Sequence, residues 1–303
     1  MQADADHRFI FEHLDVRGEL VHLDESLQNL LSLHHYPGPV AHLLGEFLAA
    51  AVLLSNSMKT DGTLALQVRG EGPIQLLLVE CTDRSLVRGM AQFSQQAVSD
   101  DFATLLAGSI LTLTFRPLNG TQYQAIVPVE GANLAECLGH YFQQSEQLNT
   151  TFMFSCDGHQ AGGLMLQQLP AQLVADPALR QDHWTRLTLS AQTLSATELL
   201  QVAPAELLPR LYPEDAIRLF DAHQITYRCR CSRARTARIL ATLAREEVDA
   251  MLAAEAHIDM TCELCNQLYR FDQASVDAIF RGDFASFDEA LTGNDAPPST
   301  TRH

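Results

Sequence analysis

Positive charge is what this chain has least of: Lys and Arg together number 20 against 37 Asp and Glu, a formal net charge of -17 at pH 7. Such a surface repels phosphate backbones and anionic lipid, so neither nucleic-acid nor membrane binding is expected. An ordinary acidic cytosolic composition explains the charge equally well. Long apolar runs are also missing; the longest, Phe47 to Leu54, is far too short to span a bilayer. Met1 to Arg8 has no basic segment leading into an apolar one, so no secretory signal is read and a cytoplasmic location is expected. Thiols stay reduced there, which removes a disulfide scaffold as the explanation of the seven cysteines. No Ser-His-Asp order, phosphate loop or dinucleotide fingerprint occurs, so a conventional enzyme is not expected.

What is present is a chain of 303 residues, 47% hydrophobic and only 19% charged, enough for a real core and more than one domain. The pattern predicts an α+β protein: an N-terminal α/β domain over 1–175 with a mainly antiparallel sheet and packed helices, a helical linker over 176–228, a small zinc-binding domain over 229–290, and a disordered tail over 291–303. Pro37 to Met58 has helical periodicity and should stop near Lys59, before the Asp61-Gly62 turn. Thr63 to Arg69 alternates as a half-buried strand does, and Ile74 to Glu80 makes the next. Ile110 to Arg116 and Gln122 to Val129 flank Asn119-Gly120, which favours a primed-turn hairpin. Leu134 to Leu148 reads as a helix. Strands near Thr151 to Ser155 and Leu164 to Leu169 close the sheet, with Ala161-Gly162-Gly163 as their turn. From Pro170 to Arg228, prolines interrupt short leucine-bearing stretches around Leu187, Leu194, Leu199 and Leu200, too short to be stable helices alone. That segment reads equally as a connector that gains structure by packing or as a plain helical subdomain.

The chemistry is concentrated in Cys229-Arg230-Cys231, followed after thirty residues by Cys262-Glu263-Leu264-Cys265. Residues i and i+2 of an extended segment face the same way, and a two-residue gap is knuckle spacing, so the four thiolates can share one ion. Soft sulfur ligands select zinc or an iron–sulfur cluster, of which zinc is preferred here. A closed Cys₄ shell leaves no position for a hydrolytic water, and most such sites are structural. His257 is an alternative ligand that a full shell does not need. Between the pairs, Ser232 to Ala244 predicts a helix with Ile239, Leu240 and Leu243 inward, and Arg245 to Ala254 a second with Val248, Met251 and Leu252 inward. Ile258 and Met260 lead into the knuckle, Leu268, Tyr269 and Phe271 leave it, and Asp272 caps a last helix. A module of this size has a marginal core, so its fold should lean on the metal, worth of order 10–16 kcal/mol in zinc-finger peptides. A disulfide sulfur cannot replace a thiolate ligand, which makes a redox switch physically reasonable beside the structural reading. Arg228, Arg230, Arg233 and Arg235 either stabilise the thiolates or form a solvated face. Cys81, Cys137 and Cys156 have no close partners in sequence, and Cys137 sits on an apolar helical face as a buried thiol would.

Beyond the cysteines, Val16 to Val21, Tyr36-Pro37, Leu44-Gly45-Glu46, Gly70 to Pro73, Val87 to Ala91, Tyr141-Phe142 with Ser145 to Leu148, Ala161-Gly162-Gly163 and Glu246-Glu247-Val248 occur in an order that resembles the heat shock protein 33 family over nearly the whole chain. The resemblance implies an ATP-independent holdase chaperone rather than an enzyme. It implies one Zn²⁺ per chain on Cys229, Cys231, Cys262 and Cys265 in a reduced, inactive form. Oxidation would form Cys229–Cys231 and Cys262–Cys265 disulfides, release the zinc and unfold tail and linker. The oxidised homodimer would then bind unfolding client proteins. Cys156 departs from the family pattern and is a candidate for mixed disulfides. Two other functions compete: a zinc-ribbon nucleic-acid or ribosome-associated factor, which the arginines favour and the net charge opposes, and a thiol-disulfide oxidoreductase using Cys262 and Cys265, which would need a thioredoxin-like context.

Overall fold

The computed structural model describes residues 4–58, 60–94 and 99–288, so the expected tail at 291–303 lies outside the described residues. The chain forms two compact units, Met1–Arg228 and Cys229–His303.

The first unit opens with β1 (Ala5–Phe11) and β2 (Val16–Leu23), then α1 (Glu25–Leu31) and α2 (Gly38–Ser57). A meander follows, β3 (Gly62–Arg69), β4 (Ile74–Thr82) and β5 (Leu86–Phe93), then α3 (Phe102–Leu105). The hairpin β6 (Ile110–Pro117) and β7 (Tyr123–Val127) precedes α4 (Leu134–Ser145), β8 (Thr150–Cys156) and β9 (Ala161–Gln168). Three helices, α5 (Pro177–Gln192), α6 (Ala196–Gln201) and α7 (Pro204–Leu211), lead to short strands β10 (Ile217–Leu219), β11 (His223–Gln224) and β12 (Thr226–Tyr227).

These strands make two sheets. The first has the order β10-β1-β2-β9-β8, with β11 also on β1; the second is β12-β5-β4-β3-β6-β7. All pairings in them are antiparallel except β12 with β5. The expected mainly antiparallel character holds, while β8 and β9 belong to a different sheet from β3 to β7. Helix α2 is apolar all round because it contacts strands of both sheets and is buried by them. By length and composition its 20 residues would cross a membrane, but 78% of its most apolar window is buried in the protein.

The other face of the first sheet carries Phe9, Phe11, Leu20, Leu164 and Leu166, and α5 to α7 cover it with Leu187, Leu199, Leu207, Leu208 and Tyr212. The helices are locally well specified. Asp176 caps α5, Ser195 and Glu198 form a capping box on α6, and Pro204 starts α7. The hold of α5 is thin, since it buries only Leu187 and Ala191 among its 16 residues.

Two turn expectations fail. Ala161-Gly162-Gly163 lies in β9, and the turn is made by residues 157–160. The hairpin around Asn119-Gly120 exists, but its loop spans residues 118–122 and only Gly120 there has positive φ, 123°, so it is not the two-residue type I′ turn that Asn-Gly favours, which requires both central residues to be left-handed.

The second unit contains α8 (Arg233–Leu240), α9 (Arg245–Glu255), β13 (Ile258–Thr261), β14 (Leu268–Phe271), α10 (Gln273–Phe280) and α11 (Ala285–Asp288). Its core gathers Ala234, Ala237, Leu240, Val248, Phe271 and Val276. Ile239, Leu243 and Met251, expected inward, are exposed instead. Alanines at 234 and 237 set the buried face of α8, in line with Leu240, and this turns Ile239 outward. Asp272 caps α10 as expected, accepting from the Ser275 amide at 2.9 Å.

Candidate metal centre

Cys229 and Cys231 sit in an irregular segment that ends at Ser232, whose side chain accepts from the Arg235 amide and starts α8. Cys262 and Cys265 occupy the turn of the β13–β14 hairpin. There the Cys262 amide donates to the Gln267 carbonyl at 2.9 Å, and the Asn266 amide donates to the Cys262 carbonyl at 2.8 Å. Asn266 takes the left-handed φ of 54° that closes the knuckle. The alternation of β14 buries Tyr269 and Phe271 and exposes Leu268.

The four sulfurs all lie within 4.8 Å of one another, and each cysteine is half-buried. Cys229 Sγ is 3.8 Å from Cys262 Sγ, and Cys231 Sγ is 3.3 Å from Cys265 Sγ. A tetrahedral ion with metal–sulfur bonds near 2.3 Å requires sulfur–sulfur separations of roughly 3.8 Å, so the quartet fits zinc without rearrangement of the chain. The closest approaches join one cysteine of each sequence pair to one of the other. None of the seven cysteines is paired in a disulfide.

Crowding of four thiols redistributes their protons. Cys229 is held far below the ordinary thiol range by hydrogen bonds from Cys231, then Cys262 and Cys265. Cys265 is raised far above it, chiefly by Cys229 and then Cys231 and Cys262. Binding of a cation to such a set requires deprotonated sulfurs and so releases protons.

Tyr269 is the site residue that sequence reasoning missed. Its hydroxyl donates to Cys231 Sγ at 3.1 Å, a bond available only because β14 folds back on the hairpin. Two of the four arginines have partners other than sulfur. The Arg233 guanidinium lies over the Phe271 ring at 4.7 Å and the Phe287 ring at 5.7 Å, and Arg235 donates to the Arg230 carbonyl at 3.2 Å. His257 is outside the quartet, with Nε2 3.6 Å from Asp259 Oδ2. The Cys262–Cys265 motif begins no helix among the described residues, which removes the dipole that activates thioredoxin-like cysteines.

The remaining cysteines lie in the first unit. Cys81 is buried and pushed up to about 12 by that burial, and Cys137 is buried with its sulfur accepting from the Gly131 amide at 3.3 Å. Cys156, half-buried, is likewise pushed up to about 12 by desolvation, which opposes the mixed disulfides considered for it.

Comparison with known proteins places these features. The family model described as Hsp33 protein matches residues 4–272. The 33 kDa chaperonin of Pseudomonas paraeruginosa is 44% identical over 99% of both chains, and that of Pseudomonas aeruginosa strain PAO1 43% identical over the same shares. The 33 kDa chaperonin (heat shock protein 33 homolog) of Thermotoga maritima has a similar fold, with a TM-score of 0.78 at 22% identity, covering 93% of this chain and 99% of that one.

Proposed function

This chain belongs to the Hsp33 protein family, a chaperone family, and we propose that it is an ATP-independent holdase, inactive when reduced and switched on by oxidation of Cys229, Cys231, Cys262 and Cys265. The observation that carries this reading is the convergence of four free sulfurs within 4.8 Å beside a small core. One zinc ion per chain, held by those four residues, would supply the cohesion that so small a core lacks.

Each oxidation step balances as two zinc-bound thiolates giving one disulfide and two electrons, which with two protons from solvent reduce one hydrogen peroxide to two waters as the zinc loses two ligands. The pairs in this proposal are Cys229–Cys231 and Cys262–Cys265, the neighbours in sequence that the family resemblance implies. A disulfide in either pair removes two thiolates from the donor set. Residues 176–228 serve as the metastable linker in this proposal. Their helices cover the apolar face centred on Phe9, Phe11 and Leu20, and release of them would offer that face to unfolding client proteins. The oxidised form acts as a homodimer, in the cytoplasm.

One assay tests the reading. Reduced protein is exposed to peroxide at raised temperature while zinc is followed with a chromogenic chelator and aggregation of a thermolabile enzyme by light scattering. Zinc appearance together with suppression of aggregation, without ATP, is expected. Zinc appearance with no gain in suppression would reduce the quartet to a structural metal site.

A further inference from the structure

The first unit contains a cavity of about 470 Å³, between α2, α3, the residues just before α4 and the end of β8, that the redox chemistry leaves without a task. Three side chains bearing metal-ligating atoms line it: His42 and Glu46 of α2, and Cys156 at the last position of β8. Asp100 and Asp101 line it as well, and among the described residues no Lys or Arg does. A hollow with three carboxyl groups and no such counter-charge draws cations.

The local sequence brings the three donors to one place. His42 and Glu46 are four residues apart on α2 and so share a face of that helix. Gly45 lets the end of β8 come close, because a Cβ there would collide with Cys156 Sγ. The sulfur thus rests against the helix one residue from Glu46. Gly158, in the turn after β8, touches both of the other donors: its amide donates to Cys156 Sγ at 3.4 Å, and a Cβ on it would lie 3.6 Å from His42 Nε2. Neither His42 nor Glu46 has a hydrogen bond or ion pair among the described residues, and burial alone pushes Glu46 up to about 7. The three atoms are not drawn together as the sulfurs of the quartet are. Turning His42 and Glu46 about their side-chain bonds breaks no partner of either, and the cavity leaves room for it.

Imidazole, carboxylate and thiolate are ligand types of zinc and its soft or borderline neighbours, whereas magnesium and calcium take oxygen alone. We propose that His42, Glu46 and Cys156 form a second metal site, which takes one divalent ion of the zinc class. A fourth position is left to water or to Asp100. Binding replaces the S–H bond of Cys156 with a metal–sulfur bond, the proton passes to solvent, and nothing is oxidised or reduced. The site shares no residue with the cysteine quartet and does not rest on the chaperone reading.

Cobalt(II) is the probe, because a thiolate ligand gives it a charge-transfer band in the near ultraviolet. The full reduced chain, given one equivalent of zinc beforehand, is titrated with cobalt beside Cys156→Ser and Glu46→Gln chains treated alike. The wild-type chain should bind one equivalent of cobalt, with the band, at a dissociation constant in roughly the micromolar range. Cys156→Ser should lose the band, and Glu46→Gln should weaken binding at least about tenfold, as loss of even an outer partner does. Circular dichroism and thermal melting confirm that each variant folds; if Glu46→Gln does not, Cys156→Ser, which exchanges a single atom, decides. No cobalt bound by the wild-type chain overturns the proposal. So does an undiminished band in Cys156→Ser, which would put the ion on other sulfurs. All chains carry the same quartet, so the difference between them stands whether or not the quartet holds zinc or acts as a switch.

Discussion

At the scale of single residues, the hydroxyl of Tyr269 bonds Cys231 Sγ at 3.1 Å. A donor to a thiolate draws off charge and orients the ligand, and loss of such an outer partner typically costs 10–100-fold in metal affinity. Tyr269→Phe keeps the buried ring and removes only the hydroxyl. It should lower zinc affinity about tenfold in chelator competition and speed thiol oxidation by peroxide; affinity equal to wild type would show the bond to be incidental. The four cysteines were legible in the sequence because metal chemistry fixes their type and spacing. Tyr269 was not, because its partner is set by how β14 pairs with β13 and not by distance along the chain. Arg233 was illegible for a related reason: charge in sequence does not reveal that it finds its place over Phe271 and Phe287.

Among the elements, α6 is the most closely fitted. The His22 Nε2–H donates to the Leu199 carbonyl at 2.6 Å, and a Cβ at Gly162 would come within 3.1 Å of that same oxygen. Gly162 and Gly163 therefore mark a close approach of helix to strand, and reading them as a turn failed because glycine signals both. Gly162→Val should push α6 outward at a cost of about 1–3 kcal/mol, seen as a lower melting temperature and faster proteolysis between residues 193 and 203. Cleavage at the wild-type rate would contradict the packing argument. The same contact gives a pH dependence. Burial lowers His22 to about 4 from its ordinary 6.5, so the unfolded chain takes up this proton first as pH falls. Stability from the neutral ring is complete above pH 6.5 and is lost between 6.5 and 4, by up to about 3 kcal/mol. Glu19, pushed up to about 7 by burial, acts in the opposite sense, favouring the folded chain as pH falls below 7. The informative quantity is thus a difference: melting of His22→Gln should rise progressively relative to wild type as pH drops from 6.5 to 4, and parallel profiles would refute the assignment.

For the whole molecule, the two units differ in the size of their cores. The first has extensive cores on both faces of its first sheet, and its central helix and several strands were readable from periodicity. Strand β2 was not, because it is buried almost throughout and shows no alternation. The short strands β10 to β12 were not either, since two or three residues leave no period to read. Among the described residues, the second unit has a core of eleven buried residues and elements of at most eleven, short of what stabilises a domain of its size without a staple. Metal removal should therefore act on one unit and spare the other. A strong chelator under reducing conditions, or acidification that protonates the thiolates, should make residues from Cys229 onward protease-sensitive. The main calorimetric transition of the first unit should move by no more than a few degrees. Mass spectrometry of the resistant fragment gives the boundary directly. A C-terminal unit equally resistant with and without metal would mean that its apolar core suffices, and oxidation of the cysteines would then have no structural element to release.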